Sequence, residues 1–232
     1  MDEPGKIRCA VMLHGAGGGG WEWAIWQRVF AARRWAVLAP DLQPADGGLV
    51  ATSLDDYLGQ ARRCCEGSAP DLLIGASLGG LLALATAAKV RPRALVLVNP
   101  MPPGGGLVRA EPYPSRIPWG TRRSLEGTRR AMPDADAAAC LHAFRRWRDE
   151  SGAVLNEAMH GLAFVRPDCP VLVLASEDDE DVPVDLSKKL ADSLAAAFWA
   201  LPQTSHVGPL LGRHAAQIAK QVALWAEGRH GD

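Results

Sequence analysis

The chain has 232 residues and a formal net charge of −1, and 48% of it is apolar. That size and apolar content suit one α/β domain with a sizeable core, and the near-neutral balance gives no reason to expect nucleic acid or a membrane surface as partner. Cys9, Cys64, Cys65, Cys140 and Cys169 are odd in number and contain no CxxC pair, so neither a disulfide framework nor a zinc ribbon is suggested. With no apolar leader and no run approaching ~18 apolar residues, the expected setting is the cytoplasm.

In chain order, Cys9–Leu13 reads as a strand, followed by a glycine-rich turn and a helix from about Glu22 to Arg33. Trp35–Ala39 is the next strand, stopped by Pro40, and Leu54–Cys65 is a helix with Ser53 as its cap. Leu72–Gly75 is a strand, Leu78–Lys89 a helix, and Ala94–Val98 a strand ended by Asn99-Pro100. Residues 100–118 are dense in proline and glycine and read as irregular, with helices following at Asp136–Asp149 and Ala153–His160. The alternation then resumes with strand Val171–Ala175, helix Val184–Ala196, strand Phe198–Leu201 and helix Ala215–Glu227. Alternating strands and helices imply a mostly parallel sheet of about six strands with helices on both faces. Residues 1–232 are expected to form one domain, with about 100–166 inserted as a helical cap.

The stretch DLLIGASLGG at 71–80 places Ser77 on the turn between an apolar strand and a helix. A serine on such a turn is exposed at the sheet edge and is a candidate nucleophile, although a glycine-rich turn with a helix-capping serine would read the same way. A hydroxyl needs a base to take its proton and an acid to orient that base. Both should follow later strands, because ligand sites in open α/β sheets lie outside the carboxyl ends of the strands. His206 follows the strand at 198–201, and the acidic run Glu177–Asp181 follows the strand at 171–175. The order Ser, acid, His then results. Backbone N–H donors for an oxyanion are expected from Leu78 and from the loop His14-Gly15-Ala16-Gly17. The run at 177–181 lacks the D-x-D-x-D-G spacing of a calcium loop, and no metal or cofactor is expected.

On HGAG at 14–17, LAPDL at 38–42, GASLGG at 75–80, SEDDEDVP at 176–183 and the strand-plus-histidine at 198–206, the chain resembles the α/β-hydrolase superfamily over nearly its whole length. That resemblance implies an α/β-hydrolase fold with Ser77 as nucleophile, His206 as base, and Ala16 with Leu78 as the oxyanion hole. The family spacing G-x-x-D-x-x-V-P, set on Val182-Pro183, selects Asp179 as the acid. Asp178 and Asp181 are its rivals, and Ser176 stands where the family has glycine. HGAGGGGWEW is similar to the first loop of plant methylesterases and hydroxynitrile lyases. The lyases carry lysine after the base histidine; here it is Val207. Trp21 adjoins that loop and is a candidate substrate contact. Only eight residues precede the first strand, so the usual N-terminal hairpin is expected to be missing.

The expected function is a serine hydrolase of small to medium carboxylic esters, working as monomer or homodimer on a small-molecule substrate. Thioesterase, lactonase and C–C hydrolase chemistry use the same residues. A rival of another class is a dinucleotide-binding protein, since Gly15–Gly20 satisfies G-x-G-x-x-G and Asp41 ends the next strand.

Overall fold

The computed structural model describes residues 8–228. Strand β1 (Arg8–Leu13) leads through a 3-10 turn at Gly20–Trp23 into α1 (Ala24–Ala32), β2 (Trp35–Leu38), α2 (Leu54–Ser68), β3 (Leu72–Ala76), α3 (Leu78–Val90) and β4 (Ala94–Val98). The intervening segment holds β5 (Arg116–Ile117), α4 (Leu125–Ala131), α5 (Ala137–Phe144), β6 (Glu150–Ser151) and α6 (Gly152–His160). The chain closes with β7 (Val171–Ser176), α7 (Val184–Leu194), β8 (Ala197–Leu201), α8 (Gly208–Leu211) and α9 (Ala215–Glu227). The six long strands lie in the order β2-β1-β3-β4-β7-β8, and every neighbouring pair is parallel.

Strand side chains alternate between faces, so each central strand feeds two cores. Leu73, Leu95, Leu97 and Val173 face α2, α3 and α7, where Leu58, Leu81 and Leu190 meet them. Leu72, Ile74, Val96 and Leu172 face α1 and α9, against Trp26, Phe30, Ile218 and Val222. This two-sided burial makes β3 and β4 continuous apolar runs. The Ser53 cap is a reciprocal box: its hydroxyl accepts from the Asp56 N–H, and the Asp56 carboxylate accepts from the Ser53 N–H at 2.8 Å.

The segment between β4 and β7 differs from its sequence reading in two ways. Arg116 and Ile117, in the stretch read as irregular, pair antiparallel with Ser151 and Glu150. Two-residue strands are too short to show alternation; their partner, more than thirty residues away, defines them. The helix expected over 136–149 stops at Phe144: the Arg146 N–H turns to Ala143 O at 2.8 Å, tightening the last turn, and the Arg148 N–H then donates to Gly17 O at 2.8 Å. Among the described residues no helix is long and apolar enough to cross a membrane. The expectation of a missing N-terminal hairpin falls on residues 1–7, outside the described residues.

Candidate active site

Because the six strands are parallel, the loops after their carboxyl ends share one edge. Ser77 sits there between β3 and α3 at φ 52, ψ −119, a conformation that L residues rarely adopt. It is held by its N–H to Val98 O at 2.9 Å and by its carbonyl, which accepts from the Gly80, Leu81 and Met101 N–H groups. The flanking glycines are required by close approach. A Cβ on Gly75 would lie 2.1 Å from Gly79 O, and one on Gly79 would lie 2.2 Å from Leu13 O. Leu78 opens α3, so its N–H belongs to the first turn, which has no intrahelical acceptor.

His206, in the loop after β8, has Nδ1 2.8 Å from Asp179 Oδ2. The other oxygen, Asp179 Oδ1, accepts from the Asp181 and Val182 N–H groups at 2.8 Å each. The carboxylate is therefore locked by its own loop and aimed at the imidazole, which places the ring proton on Nδ1 and leaves Nε2 as an acceptor. Of the rival acids, Asp179 is the one hydrogen-bonded to His206, while the Asp178 N–H joins the two loops by donating to Thr204 O at 3.2 Å. Burial pushes the His206 pKa down; the hydrogen bond and charge of Asp179, with Asp181, more than offset this and hold it above 6.5. The ligand atoms of Asp179, Asp181 and His206 lie within 4.8 Å of one another, the spacing a metal ion would need among the described residues. A cation there would compete with the Asp179–His206 hydrogen bond. The described hydrogen bonds of His206 run to Asp179 and, through its carbonyl, to Asn99; none runs to Ser77 Oγ. Such contacts are commonly long without substrate and tighten when it binds.

Asn99 carries a signal the sequence reading passed over. In the sequence it stands only as the residue before a strand-stopping proline, yet it is 1% exposed and has φ 44. Its amide donates to His206 O at 2.6 Å and Ser176 Oγ at 2.9 Å, and its oxygen accepts from the Ser176 N–H at 2.8 Å. It ties the end of β4 to the acid and base strands.

The first loop is braced from behind. Buried His14 accepts at Nε2 from the Leu42 N–H at 2.9 Å, so its proton sits on Nδ1 and is donated to Gly15 O at 2.7 Å. Burial above all, with Arg148 nearby, pushes its pKa down to about 4, so the ring stays neutral. Arg148 Nε donates to Gly18 O at 2.6 Å, and the Gly17 N–H donates to Glu150 Oε2 at 2.9 Å. Glu150 is 2% exposed and also accepts from Tyr57 Oη at 2.9 Å. Ala16, at the tip of this brace, is half-buried beside the elbow, where a Cβ on neighbouring Gly15 would stand 3.3 Å from Ser77 Cβ. Trp21 packs edge-on against Trp147 at 5.1 Å and near His142 at 5.7 Å, while its buried indole N–H has no hydrogen-bond partner among the described residues. A cavity of 470 Å³ beyond the brace is lined by Tyr57, Trp147, Arg148 and Glu150 among others, and by neither Ser77 nor His206. The geometry weighs against a dinucleotide site. Asp41 Oδ1 is engaged by the Gly20 N–H at 2.7 Å, and the loop enters a 3-10 turn before any α-helix.

The model of the alpha/beta hydrolase family matches residues 10–221, and the chain belongs to that family. No curated protein gives a significant match. Among solved structures, a methylesterase from Arabidopsis superposes with a TM-score of 0.72 at 15% identity, covering 95% of this chain and 100% of its own. A pyrethroid hydrolase from Sphingobium faniae gives 0.70 at 18% identity, with 98% and 100% covered. A monoacylglycerol lipase from Paleococcus ferrophilus gives 0.69 at 18% identity, with 95% and 94% covered. At these identities the likeness establishes the fold.

Proposed function

We propose that the protein is a cofactor-free serine hydrolase of small to medium carboxylic esters. The observation that carries this reading is the strained Ser77 elbow on the same sheet edge as a histidine whose Nδ1 is bound to a buried carboxylate. In the proposed cycle His206 Nε2 takes the Ser77 proton as Oγ attacks the acyl carbon. The oxyanion is held by the Ala16 and Leu78 N–H groups. The alkoxide leaves with the proton from His206, giving an acyl-serine, and His206 then activates water to release the acid. Asp179 keeps the tautomer and stabilises the imidazolium. The names of the esterase and lipase neighbours support the ester class.

The test is a panel of p-nitrophenyl esters of increasing chain length, run beside a phosphonate that labels nucleophilic serines. Ser77→Ala lowers kcat by ~10⁴-fold or more, as in other triads, and abolishes labelling. Retention of either activity by S77A removes the nucleophile and the reading with it. Thioester, lactone and C–C substrates in the same panel separate the chemistries that share these residues.

A further inference from the structure

Glu22 is a buried carboxyl group that the cycle above does not use. It lies in the 3-10 turn directly after the first loop, is 3% exposed, and its Oε2 has no hydrogen-bond partner among the described residues. The side chain lies flat against the loop, since a Cβ on Gly18 would fall 2.1 Å from Glu22 Oε2. Gly18 thus lies against this carboxyl, and its carbonyl accepts from Arg148 Nε at 2.6 Å. A buried carboxylate with an unpaired oxygen costs far more than the neutral acid, which still lacks a partner but carries no charge to desolvate.

We propose that Glu22 is a positioning residue that must stay a neutral carboxylic acid: it backs the loop bearing the Ala16 N–H, and its ionisation switches the site off. This rests on the ester-hydrolase reading above. The charged and titratable groups facing Glu22 are His206 from the base loop and Arg148 from the segment between β4 and β7; His14 and Asp41 flank the same loop, and Asp179 and Asp181 face His206. Burial pushes the Glu22 pKa up to about 8, against smaller downward pulls from the Gly19 and Gly15 backbone, His206 and Arg148. Once ionised, it would set a negative charge behind donors that must receive another, and it would favour the protonated, inactive form of His206.

A serine–histidine pair alone gives a rate that rises with pH and then levels, because only neutral histidine is the base. A fall near pH 8 needs a further group. The test follows phosphonate labelling of Ser77 and ester kcat/KM from pH 6 to 9.5 in wild type, E22Q and Glu126→Gln, an exposed control. Wild type and E126Q fall towards tenfold per pH unit above about 8, while E22Q, which keeps the shape without the charge, moves that fall up by a pH unit or more. A second signature is thermal. A carboxyl whose folded pKa is raised stabilises fully below its unfolded pKa and progressively less up to its folded one. Wild type therefore loses stability relative to E22Q from about pH 4.5 to 8 and runs parallel above. A wild-type plateau to pH 9.5 overturns the proposal whether or not E22Q folds. So does an unchanged fall in E22Q, or an equal loss at every pH. Labelling at Ser77 with no alkaline fall sinks the Glu22 role alone; no labelling at any pH sinks the hydrolase reading and this inference together.

Discussion

The sheet and the segment between β4 and β7 contribute to the site by different means. The sheet acts through backbone: parallel strands end on one edge, and Ser77, Asp179 and His206 each occupy the loop after such an end. The intervening segment acts through a few side chains reaching back. Arg148 and Glu150 hold Gly18 and Gly17 of the first loop. Asp134 accepts from Ser205 Oγ at 2.6 Å, next to His206, and its backbone carbonyl accepts from the Arg213 N–H at 3.1 Å. The segment expected as an inserted helical cap thus grips both the first loop and the histidine loop. A free lid would break these bonds on opening, so this segment is better understood as part of the scaffold.

The largest way to break the comparison lies on the sheet side. Asp179→Asn leaves the shape but cannot accept the Nδ1 proton in the same way, and the expected loss in kcat is ~10⁴-fold. It also moves the pH profile in a defined direction. His206 titrates above 6.5 because Asp179 outweighs burial. Wild-type kcat/KM therefore rises with pH through that raised value, and with the main raising group gone the acid limb of D179N shifts to lower pH. A D179N profile with an unmoved acid limb would show that Asp179 does not set the base.

The sheet was legible in the sequence because burial on both faces writes itself as apolar runs: LLIGA and ALVLV could hardly be anything but central strands. The elbow was legible because backbone crowding demands Gly75 and Gly79 around Ser77. The contacts of the intervening segment were not legible. Arg148 looks like a member of a charged helix face until the chain is seen to leave the helix at Phe144, and Glu150 looks like a residue of the following turn. Asp134 sits in an ordinary turn. Their partners lie 71 to 133 positions away, and no spacing rule links them.

A middle-sized effect tests the first grip. Arg148→Ala removes two contacts, to Gly18 O and to His14 Nε2 at 3.3 Å, while the Gly17 bonds to Glu150 and the 148 backbone persist. Loss of a whole oxyanion donor costs ~10²–10³-fold. Loosening the loop should cost less, roughly 10–10²-fold, in kcat with KM little changed. A pure rise in KM would instead make Arg148 a substrate contact.

The smallest effect tests the second grip. Asp134 accepts from the Ser205 hydroxyl and, at 3.3 Å, from its N–H, and it packs where Cβ atoms on Gly208 and Gly212 would lie 2.0 and 2.7 Å from Oδ2. Asp134→Ala leaves the Ser205 donors to find water and opens a small void, which is expected to cost about 1–3 kcal/mol and several-fold in kcat. Ser205→Ala removes the shorter bond from the other side. If the two residues act as one clamp on the histidine loop, the double variant is less damaged than the sum of the singles, with a coupling of about 0.5–3 kcal/mol in thermal or urea unfolding. Additive losses in stability and kcat would mean that Asp134 merely fills space beside the histidine loop, and the scaffold role would then rest on Arg148 and Glu150 alone.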